Sequence, residues 1–466
     1  DVTVNGILSN LDPHSVYIPV SEYEDNADEM RGNFVGIGVS FYVYKDTITV
    51  IRAIEGGSAA RAGIQGGDRL LYADGKKLFG FGINRDTISK FLKGEINSKV
   101  KLQVYRKKDD EILDVKLKRK RIPIVSVDAS YKLNDDLGYI KINRFSETTY
   151  SEFREALKDL IDQGINGLVL DLRGNPGGYI APAEQILDEF LEKDKLILVT
   201  KNKTGEETQS FATSKGDFET GRLYVLINEN SASASEIVAG ALQDNDKGII
   251  IGRRSFGKGL VQREMSLGDG SAVRLTIARY YTPTGRSIQR PYDEGNSSYF
   301  REYENRYRNG ELLSADSIQV ADSLKFTTPN GKIVYGGGGI IPDVFVPRDI
   351  SVENETLNYV NRNGFMSYFV FEYLEENRNN FQGVTFQDYK DNYEIGDNLA
   401  QSFIEYTKLQ EAHIDLSGYD LKLKRLLKAH IAQQLFGPNE YGVILNGGDS
   451  MIQKVVEIDR ANAVKN

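Results

Sequence analysis

The segment Asn230-Ser-Ala-Ser-Ala-Ser-Glu236 follows a buried strand and opens a helix. Ser233 therefore stands at a helix N-terminus, beside free N–H groups and the positive end of the helix dipole, where a developing oxyanion can be stabilised. Ala232 and Ala234 leave room around it. The same residues also read as a capping box, in which Ser233 and Glu236 do no more than close the helix start. A serine nucleophile needs a base. No histidine lies between His14 and His413, and neither sits in a recognisable context. A lysine with a depressed pKa is the alternative. Lys258 lies between Gly257 and Gly259, with Phe256 and Leu260 just beyond. Burial disfavours its ammonium form. Lowering a lysine from about 10.4 to the about 7–8 useful in a base costs the charged form about 3–5 kcal/mol. Gln262 could hold the amine through its side-chain carbonyl, and a plain solvated loop lysine is the other reading. Arg173-Gly-Asn-Pro-Gly-Gly178 is a strand-to-helix connector whose Gly177 and Gly178 N–H groups, with that of Ala234, could form an oxyanion hole.

A rival runs through the same lysine. Residues 252–258, Gly-Arg-Arg-Ser-Phe-Gly-Lys, fit the start of a phosphate-binding loop. Gly259 then replaces the Ser or Thr that would hold Mg²⁺, and residues 260–276 read as strand, turn and strand where that loop demands a helix.

The positioning elements follow from periodicity. Residues 1–32 are polar, with a helical patch at 22–30. Residues 33–122 carry short alternating strands broken by glycines, a short helix ended by Gly63, and a hairpin about residues 108–110. Ile122-Pro123 marks a boundary. Residues 123–348 alternate strand and helix, with apolar runs at 167–172, 224–227 and 248–252 that predict buried parallel strands and right-handed crossovers. Residues 349–466 are helical and aromatic-rich. The expected organisation is an N-terminal helical segment (1–32), an inserted domain (33–122), a βαβ core (123–348) and a helical C-terminal region (349–466).

Composition limits the function classes. Lys and Arg total 58 against 67 Asp and Glu, a formal charge of −9, so no overall basic balance points to nucleic acid. Cysteine is absent, which excludes disulfides, thiolate metal sites and a cysteine nucleophile. No metal-ligand spacing occurs, and no cofactor is implied. No apolar run reaches the about 18 residues of a membrane span. Asp1 in place of Met reads as a processed or trimmed start.

Taken together, the segments resemble the carboxyl-terminal processing peptidases, or tail-specific proteases, of the S41 serine–lysine type. The matching stretches are Leu11-Asp-Pro-His-Ser15, Gly36-Ile-Gly-Val39, Gly66-Gly-Asp-Arg-Leu70, Leu170 through Gly178, Ser231 through Glu236, Ser255-Phe-Gly-Lys-Gly259 with Gln262, Tyr280 through Ser287, and Gly339-Ile-Ile-Pro-Asp343. Ser233 and Lys258 are 25 positions apart, the spacing of the family pattern. The resemblance implies a multidomain α/β protein: a crotonase-like βαβ protease core, an inserted PDZ domain and a helical C-terminal extension. It implies a Ser233/Lys258 dyad with Gln262 orienting the lysine, and an oxyanion hole from Gly177 or Gly178 and Ala234. It implies that Phe34, Val35, Gly36, Ile37 and Gly38 form the loop that takes a substrate's terminal carboxylate, the adjacent strand adding the peptide. The expected partners are polypeptides with free C-termini, and the expected location is extracytoplasmic, the bacterial periplasm. Terminal segments of related enzymes can mediate oligomerisation, so a homo-oligomer is expected by analogy. The alternative function is a PDZ-bearing scaffold that binds peptides without turnover.

Overall fold

The computed structural model describes residues 2–80, 85–410, 414–416 and 418–463. The chain forms two compact units, one of Asp1–Gly32, Val125–Arg348 and Gly448–Asn466, the other of Asn33–Ile124 and Asp349–Gly447.

In the second unit, β1 (Asn33–Gly36) is followed by β2 (Val39–Tyr44), β3 (Thr47–Ala53), β4 (Asp68–Ala73), helix α1 (Arg85–Leu92), β5 (Lys99–Arg106), β6 (Glu111–Lys118) and β7 (Lys120–Pro123). The main path of the sheet runs β2-β3-β4-β5-β6, all antiparallel, with β2 at its edge. β1 and β7 pair with each other where the chain enters and leaves this stretch. Alternation along the strands puts Ile48, Val50, Leu70, Val100, Leu102 and Val104 into one core with Ile88 and Leu92 of α1.

In the first unit, the strands are β8 (Val127–Lys132), β9 (Leu137–Ile142), β10 (Gly167–Asp171), β11 (Arg222–Ile227) and β12 (Ile249–Gly252), with helices α2 (Thr149–Asp162), α3 (Ile180–Asp188) and α4 (Ala234–Asp244) between them. A hairpin of β13 (Leu260–Ser266) and β14 (Ala272–Tyr281) follows, then the short β15 (Val344–Phe345). The sheet order is β8-β9-β10-β11-β12-β15, parallel from β9 onward, as the apolar runs predict. Parallel strands are buried on both faces, and here different elements cover the two. Ile140, Leu168, Leu170, Val225 and Ile250 pack with α2, α3 and α4. Their neighbours Tyr139, Val169, Tyr224, Leu226 and Ile251 pack with Met451, Ile452 and Val455 of the last helix, α7 below.

The remaining helices include α5 (Phe365–Asn377) and α6 (Asp420–Leu435) in the second unit and α7 (Ser450–Ala463) in the first. The core of the helices in the second unit is mainly aliphatic, with Leu374, Leu423, Leu427 and Ile431 packed among the aromatic Phe369, Phe381, Tyr389 and Phe403. The structure thus divides the region read as one C-terminal extension. A helical pattern shows that α7 has an apolar face, not which sheet needs covering.

Candidate active site

Ser233 is the N-cap of α4 and adopts φ 54°, ψ −114°. A positive φ is costly for a residue with a Cβ, and such strain persists only where the surroundings over-determine it. They do so here. The Ser233 N–H donates to Glu236 Oε2 at 2.9 Å, and its carbonyl accepts from the Glu236 N–H at 2.8 Å and from the Tyr280 hydroxyl at 3.1 Å.

Lys258 lies between β12 and β13, and its backbone is tied to the same two groups. Its N–H donates to Glu236 Oε2 at 2.9 Å, and its carbonyl accepts from Tyr280 at 2.7 Å. One carboxylate and one phenol therefore hold the serine and the lysine in register. The Lys258 ammonium donates to Gln262 Oε1 at 2.9 Å, and Gln262 Nε2 donates to the His14 carbonyl at 2.8 Å. Burial, with Arg274 adding repulsion, pushes Lys258 down to about 8. That corresponds to about 3 kcal/mol against the charged form.

Glu236 is fully buried and meets no cation at hydrogen-bonding distance among the described residues. Its Oε1 accepts from the Ser255 hydroxyl and the Gly257 N–H, both at 2.6 Å, in addition to the two bonds on Oε2. Burial raises its pKa, and these neutral donors oppose the rise. Ser255 is held in turn by the Ile340 N–H at 2.6 Å.

The glycine connector packs directly on the serine. A Cβ on Gly177 would lie 2.7 Å from Ser233 Cβ and 2.9 Å from the Ala234 nitrogen, and φ there is +99°. Buried Asn175 fixes this approach. Its carbonyl accepts from the Ala232 N–H and the Ser235 hydroxyl, both at 3.0 Å, while its amide donates to Ile142 O at 3.0 Å. The Gly177 N–H donates to Asn175 Oδ1 at 2.8 Å and is already engaged. The N–H groups of Gly178 and Ala234 make no bond among the described residues.

His14 approaches the lysine from the N-terminal segment. Burial, together with Lys258, drives it down to about 3, so its ring is neutral near pH 7, and its Nε2 is 2.8 Å from the Tyr299 hydroxyl. His413 lies outside the described residues. Asn175, Ser255, Tyr280 and the bracing function of Glu236 are the site residues that sequence reasoning missed. The Leu11–Ser15, Tyr280–Ser287 and Gly339–Asp343 motifs had singled out three of the segments involved, but not the contacts they make.

The phosphate-loop reading fails on structure. Arg253 pairs with Glu229 and Arg254 with Glu311, both buried, and Lys258 leads into strand β13 rather than a helix.

In the second unit, Phe34, Val35 and Gly36 are paired to β7. Ile37 and Gly38 form the turn into β2. Their N–H groups donate to no acceptor among the described residues, and Gly38 has φ +81° with Gly57 Cα 3.3 Å from where a Cβ would stand.

An S41 peptidase core joined to a PDZ domain is the class this architecture defines. Peptidase family S41 matches residues 136–294, and the PDZ domain family matches residues 35–117. A family of unknown function, DUF8443, matches residues 356–437. A carboxy-terminal-processing protease of Bartonella bacilliformis is 38% identical over 291 residues, 61% of this chain and 66% of its own length. The carboxy-terminal processing protease CtpB of Bacillus subtilis is 34% identical over 335 residues, 71% of this chain and 68% of that one. The matched part thus falls just short of two thirds of the first relative and just exceeds it in the second. Among solved structures, the photosystem II D1 C-terminal processing protease is 25% identical, covering 75% of this chain and 82% of that one, with a TM-score of 0.39. The chain belongs to peptidase family S41, and the two relatives named above are bacterial carboxy-terminal processing proteases. No helix among the described residues is long and apolar enough to cross a membrane.

Proposed function

We propose that this protein is a serine endopeptidase that cleaves polypeptides near their C-termini with a Ser233/Lys258 dyad. The observation that carries this reading is the shared bracing of the two residues by Glu236 and Tyr280 beside a lysine lowered to about 8. Neutral Lys258 takes the Ser233 hydroxyl proton as the oxygen attacks the scissile carbonyl carbon. The N–H groups of Gly178 and Ala234 stabilise the oxyanion. The C–N bond breaks, the leaving amine takes the proton from Lys258, and an acyl-enzyme remains. Water, deprotonated by Lys258, then releases the new carboxylate and frees Ser233. Gln262 orients the lysine throughout. The PDZ domain recruits the tail, its carboxylate on the N–H groups of Ile37 and Gly38 and its backbone along β2. The protein acts outside the cytoplasm, as the resemblance implies.

The test is cleavage of an unfolded protein with an apolar tail, followed by intact-mass spectrometry, beside Ser233→Ala and Lys258→Ala. Cleavage by the wild type alone supports the dyad. Equal cleavage by all three refutes it, and tail binding without cleavage by the wild type supports the scaffold alternative.

A further inference from the structure

The edge of the PDZ sheet is open over only part of its length. The β2–β3 turn, Lys45-Asp46, has positive φ at both residues (46° and 57°), the signature of a two-residue hairpin. That turn makes Tyr44 and Thr47 the hydrogen-bonded closing pair. Alternation then makes Val43 opposite Ile48 a non-bonded pair, so the Val43 N–H and C=O point away from β3. Phe41 faces the same way. At the other end, the Ile54 N–H donates to the Gly38 carbonyl at 3.0 Å, so Val39 also faces out. The edge therefore offers three rungs to an added strand: Val39, Phe41 and Val43.

The third rung is taken. The Tyr368 hydroxyl of α5 donates to the Val43 carbonyl. The helix is anchored there by aromatic packing: Tyr368 lies 4.9 Å from Tyr42 between ring centroids, and Phe371 lies 5.4 Å from Tyr42 and 5.3 Å from Tyr44. All these residues belong to one compact unit.

We propose that Tyr368 terminates the strand-addition site of the PDZ domain, so that main-chain hydrogen bonds to β2 reach only the last and the third-from-last residues of a polypeptide tail, and a tail of four residues supplies every peptide group they use. An antiparallel peptide whose carboxylate sits on Ile37 and Gly38 places its last residue at Val39, the third from the end at Phe41 and the fifth at Val43. The fifth residue's N–H would have to share the Val43 carbonyl with the Tyr368 hydroxyl, which competes for it. Tyr368 is thereby a specificity-determining residue for tail length. This rests on the reading of residues 37–38 as the carboxylate site.

The experiment measures Kd by fluorescence anisotropy for labelled peptides of three to eight residues, with the ending selected from a randomised C-terminal tetrapeptide library. Full-length Ser233→Ala protein is used so that no probe is cleaved. The expected result is an affinity that stops rising at four residues, within about 3-fold from four to eight. N-methylation of the third residue from the end weakens binding by about 10-fold or more, and N-methylation of the fifth has no effect. Adding Tyr368→Ala restores a gain of about 10-fold between four and six residues. An affinity that climbs 10-fold from four to six residues without that substitution, or sensitivity to N-methylation at the fifth residue, overturns the proposal while leaving the carboxylate site standing. These two measurements need no Tyr368 variant to fold. If no library peptide binds, the carboxylate reading fails and the proposal fails with it.

Discussion

Glu236→Gln tests the bracing of the proposed dyad most directly. The carboxylate accepts four hydrogen bonds, two on each oxygen, all from neutral donors. A glutamine keeps the shape but turns one oxygen into an NH₂ group, which then faces two N–H or O–H donors. Two bonds are lost in a fully buried site. Each unsatisfied buried donor costs about 1–3 kcal/mol, about 2–6 kcal/mol for the pair. Relief of the buried negative charge offsets part of this, which places the net loss of stability at the lower end. The effect on catalysis is larger. Whichever oxygen is replaced, Ser233 and Lys258 lose either their shared acceptor or the Ser255–Gly257 support behind it. A displacement of about 1 Å costs about 100-fold. The substitution also has a pH signature. Glu236 raises the Lys258 pKa by attraction, so its neutralisation lets that pKa fall below about 8. The acid limb of the kcat/KM profile for a fluorogenic peptide should therefore move to lower pH as the maximum drops by about 100-fold. Wild-type kcat/KM with an unmoved acid limb would refute the bracing argument, provided the thermal unfolding midpoint shows a folded variant.

Other consequences can be checked in parallel. Because burial lowers Lys258 to about 8, kcat/KM should rise with pH through about 8 as the amine loses its proton. A profile flat between pH 6 and 9 contradicts a lysine base. Gly177→Ala puts a methyl group 2.7 Å from Ser233 Cβ at a φ of +99°. It should lower turnover of a peptide substrate by about 100-fold or more, whereas Gly174→Ala, with φ +73° but open space around it, should strain only the loop and spare most activity. Ile452→Ala removes a buried side chain of α7 from the second face of the core sheet. It should cost about 2–5 kcal/mol in urea unfolding with little change in the kcat/KM of the folded enzyme.

The candidate site residues could be picked out in the sequence because the proposed chemistry depends on residue types at close chain distances. A serine between small residues at a helix start, a glycine-flanked lysine and a glutamine four positions on can each be recognised locally, as can the apolar runs of β10, β11 and β12. What only the tertiary structure decided is how distant segments meet. Glu236 was readable as the second half of a capping box, but its bonds to Ser255, Gly257 and Lys258 come from a segment about one strand further along. Tyr280 reaches Ser233 and Lys258 only because β14 folds back on β13. Gly177 and Gly178 look alike in sequence, and the Asn175 side chain distinguishes them by engaging only the first N–H. The helices at the chain end show the same division between pattern and partner. Periodicity shows an apolar face and not its destination, so α7 covers the core sheet while α5 places Tyr368 on the edge of β2. A local sequence encodes which groups a residue carries; a long-range contact depends on which other surface remains uncovered, and that exists only once the whole chain has packed.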